Sequence, residues 1–148
     1  MANIGKSLYI YPDGSTGSVK MGLYNYNTTS SSGGNYHHFK SNVALNTNIM
    51  TYLEFVGENY TLAVPIRAAF VSYSYSYLIA GVENYHTGGA TADGVYVSSD
   101  NYFVYRVAVP STTTDMAFTF NAIHVNPTGN GHDFNFTAVS RSSSTTVY

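Results

Sequence analysis

Histidine and carboxylate side chains are the groups in this chain that could bind a metal ion or transfer protons near neutral pH. His124 and His132 flank a sharp turn, and Asp133 follows directly, so paired strands could bring the three residues together. On an extended strand, however, Asp133 points away from the face that carries His132, and the set resembles a metal site in composition alone. We therefore predict ordinary hydrogen-bonding histidines, with neither a metal site nor a cofactor.

Two other titratable groups lie in predicted strands. His37 and His38 are adjacent, so they point to opposite faces and cannot share one ion. Glu54 lies in a predicted strand, whereas the other carboxylates lie mostly in predicted turns. Three alternatives stay open for it: a buried acid with a raised pKa, an ion pair with Arg67 or Arg106, and plain exposure to solvent. No Gly-x-Ser-x-Gly elbow or phosphate-binding glycine motif is present. The sequence therefore predicts that the chain is not an enzyme.

The most regular pattern runs from Pro65 to Gly81, where Tyr73, Tyr75 and Tyr77 alternate with serines. A two-residue period predicts one long strand with a tyrosine face and a hydroxyl face. Two interpretations of the tyrosine face stay open, since the rings could cover the core of a sandwich or form an interface with another subunit or a ligand. The three tyrosines are accordingly the candidate binding residues.

Shorter alternating segments, separated by turn residues, predict strands along the rest of the chain. Asn25 to Asn35 and Glu83 to Gly94 are rich in glycine or small polar residues and are predicted loops. With no convincing helix and no repeat, the pattern predicts an all-β, antiparallel β-sandwich of about nine strands, jelly-roll-like in topology. The predicted strands besides Pro65 to Gly81 are Ser7 to Tyr11, Val19 to Leu23, Tyr36 to Ala44, Ile49 to Gly57, Val95 to Val97, Tyr102 to Val109, Met116 to Ile123 and Phe134 to Ala138.

Length and composition limit the classes of function. A chain of 148 residues predicts one domain over 1–148, with a Ser/Thr-rich tail at 141–148 that only a neighbour would order. Charged residues make up 9% of the chain against an average of about 25%, and the six Lys and Arg are scattered, which argues against nucleic-acid binding. A neutral polar surface is cheap to desolvate and suits assembly. Zero cysteines exclude disulfides and thiolate sites.

Membrane insertion and export are not expected. No segment approaches about 18 consecutive apolar residues, and the first residues lack the apolar region of a secretory signal. We therefore expect a soluble product made in a cytoplasm.

The Tyr/Asn/Ser/Thr-rich, charge-poor, cysteine-free β pattern, as in Ser7-Leu8-Tyr9-Ile10-Tyr11 and Tyr73-Ser74-Tyr75-Ser76-Tyr77, resembles that of small virion surface proteins of tailed bacteriophages. Capsid decoration (cement) proteins and tail-fibre head domains are the two groups. The resemblance covers composition and strand pattern over the whole chain. It implies a non-enzymatic homotrimeric β-domain on the virion surface, made in the host cytoplasm. Because the strands begin at once, without a shaft, we favour a cement protein that binds the major capsid protein and stabilises the capsid.

A tail-fibre or receptor-binding domain is the alternative function. In that case exposed tyrosines would stack on host-surface glycans, and side chains of the loops Asn25 to Asn35 and Glu83 to Gly94 would bond the sugar hydroxyls. A depolymerase would need a carboxylate pair that the sequence does not place.

Overall fold

The computed structural model of the chain describes the backbone of residues 4–10, 16–27, 36–59, 63–88, 90–108, 115–125 and 134–148, and the side chains of 36–58, 63–88, 90–108, 119–122 and 134–148. This part of the chain contains ten strands and no helix, which confirms the all-β prediction and raises the strand count above nine. The strands are β1 (Ile4–Ile10), β2 (Thr16–Asn27), β3 (Tyr36–Ala44), β4 (Ile49–Asn59), β5 (Val64–Tyr75), β6 (Leu78–Gly88), β7 (Thr91–Val97), β8 (Tyr102–Ala108), β9 (Asp115–Val125) and β10 (Phe136–Ser142).

The strands form two antiparallel sheets. One has six strands in the order β1-β2-β9-β4-β5-β6, and the other has four in the order β10-β3-β8-β7. Three pairs are nested in the chain: β2 with β9, β3 with β8, and β4 with β5, and they alternate between the two sheets. This nesting is that of a long hairpin rolled into a jelly roll, to which β1, β6, β7 and β10 are added.

The two sheets pack face to face through aromatic rings. Phe39 of the four-stranded sheet lies 4.6 Å from Phe55 of the six-stranded sheet, measured between ring centroids. Tyr105 and Phe70 make a second contact across the sandwich at 5.6 Å, and all four rings are buried. Aromatic pairs at such distances add to the apolar area that they bury. The predicted β-sandwich is therefore confirmed.

The predicted strand from Pro65 to Gly81 is wrong in its extent. β5 ends at Tyr75, and Ser76 and Tyr77 then take the left-handed conformation, with φ of 51° and 62°. Two successive residues with positive φ form the kind of two-residue turn that fits the twist of a hairpin. Such turns usually carry Asn-Gly or Asp-Gly, so the Ser-Tyr pair does not predict a turn at this position.

The orientation of β5 decides between the two interpretations of the tyrosines. Ser72 is fully buried, whereas Tyr73 is 38% exposed and Tyr75 is 56% exposed. The reason lies earlier in the strand, where Ile66 and Phe70 are buried and share the even positions with the serines. A strand that turns Phe70 inward must also turn Ser72 inward. The interpretation that the tyrosines cover the core is therefore wrong.

The predicted loop from Glu83 to Gly94 is also wrong, since its described residues, apart from Ala90, belong to β6 and β7. Gly88 is required there for a different reason than loop flexibility: its φ is 78°, and a Cβ atom would lie 1.6 Å from the carbonyl oxygen of Pro65. In the other predicted loop, Asn25 to Asn35, β2 continues to Asn27, and 28–35 lie outside the described residues.

The last residues lie across the outer side of the four-stranded sheet. His38 Nε2 is 3.1 Å from the Ser144 carbonyl oxygen, and His38 Nδ1 is 3.0 Å from the Tyr96 hydroxyl. The backbone N–H of Val147 donates to the same tyrosine oxygen at 3.2 Å. These bonds tie the segment 143–148 to a sheet of its own chain.

Candidate functional site

Most of the large apolar side chains that the structure shows exposed lie on the outer side of β4, β5 and β6. Strand register places them in neighbouring rows, since Met50 of β4 is opposite Tyr73 of β5, and Tyr75 is opposite Leu78 of β6. We name this surface the outer tyrosine face. Its members are Met50, Val56, Val71, Tyr73, Tyr75, Tyr77, Leu78 and Tyr85, each 38–68% exposed.

The structure brings the three candidate tyrosines together at one end of the outer tyrosine face. Tyr73 and Tyr75 extend from β5, and Tyr77 follows in the turn, with 63% of its surface exposed. The Tyr73 hydroxyl donates to Asn48 Oδ1 at 3.2 Å, which orients that ring. Exposed rings with hydroxyl tips can bury a large area against a partner while the hydroxyls still find hydrogen bonds.

An ion pair occupies the middle of this surface. Arg67 Nε donates to Glu54 Oε1 at 2.5 Å, and the guanidinium lies 5.6 Å from the centroid of the Tyr85 ring. Among the alternatives left open for Glu54, the structure shows the ion pair, and Arg67 is the partner. Burial, and then the bond to Glu54, raise the pKa of Tyr52 beside them. The two charges thus offset each other within the surface.

Behind the outer tyrosine face, small hydroxyls make room for a tyrosine from the other sheet. Tyr105 is fully buried, and its hydroxyl lies 2.6 Å from Thr51 Oγ1, which in turn lies 2.5 Å from Ser72 Oγ. Burial raises the pKa of Tyr105 to about 12. The cluster therefore stays neutral near physiological pH and links the two sheets through hydrogen bonds. In the sequence, Ser72 and Ser74 occupy the same alternating positions as Phe70, and this pattern could have indicated that their hydroxyls are buried.

The two adjacent histidines point to opposite faces, as predicted. His37 faces the interior, where burial, and then the charge of Arg141, lower its pKa to about 3. A group with that pKa is neutral near pH 7 and is a poor proton donor there. His38 faces the C-terminal segment, and its pKa is lowered by burial, an effect that its bond to the Ser144 carbonyl partly opposes.

The second histidine set cannot be assembled from the described side chains. His124 lies on β9, where the structure describes the backbone alone, and His132 and Asp133 lie outside the described residues. Among the side chains that are described, no group of three or more histidine and carboxylate residues could hold a metal ion. In the same part of the chain, no helix has the length and hydropathy needed to cross a bilayer.

Comparisons with protein-family models, with curated proteins and with solved structures found nothing that matches this chain. The function must therefore be argued from the outer tyrosine face and its surroundings.

Proposed function

We propose that the chain is a structural protein of a virion surface, a capsid decoration (cement) protein that docks through its outer tyrosine face. The observation that supports this is the cluster of Tyr73, Tyr75 and Tyr77 beside Met50 and Leu78, all substantially exposed on one side of a sheet. Tyrosine is enriched at the centres of protein interfaces, where a ring fills a pocket and a hydroxyl stays bonded. Contiguous exposed apolar surface of this kind marks interaction sites in soluble domains.

A passive binding role fits the pairing of charged side chains in the described part of the chain. Arg106 pairs with Asp93, and Lys40 Nζ donates to Asp100 at 2.7 Å, so these charges bond within the domain. The Arg67 side chain on the outer tyrosine face is likewise paired. The residues opposite Tyr73 and Tyr75 are Met50, Gly81 and Leu78, none of which is charged. This end of the face can therefore be buried against another protein without stranding an ion, which would cost several kcal/mol (order of magnitude).

The major capsid protein is the proposed partner, together with further copies of this chain. In that role the protein is made in the host cytoplasm and assembles as a homotrimer on the capsid, as the resemblance to virion surface proteins implies. Bound copies bridge neighbouring capsid subunits and stabilise the shell. No catalytic step and no cofactor enters this function.

Glycan recognition by a tail-fibre domain is the weaker alternative. Sugar sites combine a ring platform with polar groups that converge on the hydroxyls. Near the tyrosines, Asn48 is bonded to Tyr73 and Glu54 is bonded to Arg67. In the segment Glu83 to Gly94, predicted as a glycan-binding loop, the described residues other than Ala90 lie in two strands.

Two measurements test the proposal. Quantitative mass spectrometry of purified virions should find this chain at a copy number comparable with that of the major capsid protein. Purified protein should bind capsids that lack it, and the combined change of Tyr73, Tyr75 and Tyr77 to serine should abolish that binding. The matched control is Val139→Ser, because Val139 is 40% exposed on the other sheet.

Three results would contradict the proposal. One is absence of the chain from virions, and another is undiminished capsid binding by the triple variant. The third is glycan-array binding that the triple variant loses while wild-type protein ignores capsids; that result supports the receptor-binding alternative.

A further inference from the structure

The six-stranded sheet ends in a long strand that is open on its far side. β6 (Leu78–Gly88) has eleven residues, nine of which are exposed. It pairs with β5 on one side, and no described strand forms main-chain hydrogen bonds with its other side, although β7 of the other sheet lies near β6. Free edges of this kind present a row of main-chain donors and acceptors to any extended segment that approaches.

The other three sheet edges carry features that discourage pairing, and β6 largely lacks them. β1, β7 and β10 each have seven residues. β1 contains Lys6, β7 has a register shift at Asp93, and β10 has both a register shift and Arg141. In β6 the register shift falls at Ala80, beside the turn, so eight residues from 81 to 88 run on without interruption, and they include no lysine, arginine or proline. Short length, positive charge and bulges are the usual protections of an edge.

From this contrast we propose that β6 pairs antiparallel with the β6 of a second copy of this chain. The charge pattern favours an identical partner, because Glu83 is the one carboxylate of the strand. In an antiparallel pair related by a twofold axis at Asn84 or at Tyr85, Glu83 faces Tyr85 or Thr87 of the copy and not the other Glu83. With the axis at either residue, seven of these eight residues are opposed, which forms about six to eight main-chain hydrogen bonds without placing like charges opposite each other.

The pairing has a definite consequence for the outer tyrosine face. A twofold axis perpendicular to the sheet keeps each surface on its own side, so the faces of both copies join into one surface on a twelve-stranded sheet. The inference goes beyond the proposed function and rests neither on the capsid contact nor on the homotrimer. Edge pairing by itself gives a dimer, and the homotrimer implied by the resemblance would need a different contact.

Light scattering after size exclusion tests the dimer. Wild-type protein should have twice the chain mass of 16.1 kDa at micromolar concentration. Asn84→Lys puts two like charges at the seam and should raise the dimer Kd about tenfold or more. The control is Ser99→Lys, which adds the same charge at an exposed position in the turn between β7 and β8 and should leave the Kd unchanged.

Engineered cysteines test the register. Because the chain has no cysteine, a single introduced one can form a disulfide only between copies. Opposed residues of an antiparallel pair have Cβ atoms about 4.5–5.5 Å apart, close to disulfide geometry. Asn84→Cys or Tyr85→Cys should cross-link on mild oxidation, whereas the control Ser99→Cys should not.

A wild-type monomer, a trimer, or a dimer that Asn84→Lys leaves intact overturns the edge pairing. Cross-linking no faster at residues 84 and 85 than at 99 also overturns it. The capsid-binding assay separates the two proposals: loss of the dimer with capsid binding retained refutes the edge alone, and loss of capsid binding in the tyrosine variant does not bear on it.

Discussion

Removing one buried hydroxyl group tests whether the serine side of β5 forms the interior. Tyr105→Phe deletes the oxygen that lies 2.6 Å from Thr51 Oγ1 and leaves the buried ring in place. The variant therefore changes a hydrogen bond without opening a cavity. If Ser72 faced solvent instead, Thr51 would have water as a replacement partner and the loss would be small.

The expected cost follows from the bonds that remain. A typical intramolecular hydrogen bond contributes about 1 kcal/mol, and a buried polar group left without a partner costs about 1–3 kcal/mol. Thr51 keeps its 2.5 Å contact with Ser72 after the substitution, so the lower part of this range applies. We expect the free energy of unfolding to fall by roughly 1–2 kcal/mol, and the midpoint of thermal unfolding to fall by about 3–6 °C for a domain of this size.

The assay is urea unfolding at pH 7, with Tyr73→Phe as the matched control. The Tyr73 hydroxyl also has a partner, Asn48, but the ring is 38% exposed, so water replaces the lost bond. That variant should stay within about 0.5 kcal/mol of wild type. In a double-mutant cycle, Thr51→Val and Tyr105→Phe should be non-additive by at least about 0.5 kcal/mol, because they break the same bond. The proposed interior is wrong if Tyr105→Phe costs no more than Tyr73→Phe or if the cycle is additive.

Three further predictions concern stability. Burial holds the pKa of His37 near 3 in the folded protein, against 6.5 in the unfolded chain, so the unfolded chain binds the proton first as the pH falls. The free energy of unfolding should therefore decrease from pH 6.5 towards pH 3, by up to about 1.4 kcal/mol per pH unit. His37→Phe should flatten this pH dependence in urea titrations, and an equal slope in both proteins would contradict the burial of His37. Gly88→Ala should lower the free energy of unfolding by at least about 1–2 kcal/mol, because φ at Gly88 is 78° and the added Cβ would meet the backbone of Pro65. In the control Gly81→Ala, no atom lies within 4 Å of the added carbon, so stability should hardly change. Equal urea midpoints for the two variants would refute this difference. Arg67→Met should lower the free energy of unfolding because it leaves Glu54 without its cation, and the difference from wild type should shrink in about 1 M salt. A difference that does not depend on salt would show that the substitution removes packing and not a charge interaction.

The strand content could be predicted from the sequence because alternation and turn residues act locally. Tyr36 to Ala44 alternates well enough that its predicted bounds are those of β3. The sandwich followed from the number of such segments and the absence of any helical period. The partner of Glu54 was narrowed to two arginines, and the structure selects Arg67.

The direction in which β5 faces could also have been found in the sequence. Arg67 shares the odd positions with the tyrosines, and a charged side chain is rarely placed in an interior. Phe70 shares the even positions with Ser72 and Ser74. The alternation of tyrosine and serine does not show which face of the strand points inward, whereas the burial preference of Phe70 does.

The hairpin turn and the close approach at Gly88 could not be predicted in this way. Ser76 and Tyr77 have no special preference for positive φ, so tertiary packing and the register of β5 with β6 impose their conformation. At Gly88 the requirement comes from Pro65, more than twenty residues away in sequence. The outer tyrosine face also depends on register, because it collects residues from three strands.

A cryo-EM map of the virion with this chain bound would measure the central claim most directly. We expect partner density over the outer tyrosine face, with the rings of Tyr73, Tyr75 and Tyr77 buried in the contact. A map in which these rings remain open to solvent, while the partner contacts the four-stranded sheet, would contradict docking through the outer tyrosine face.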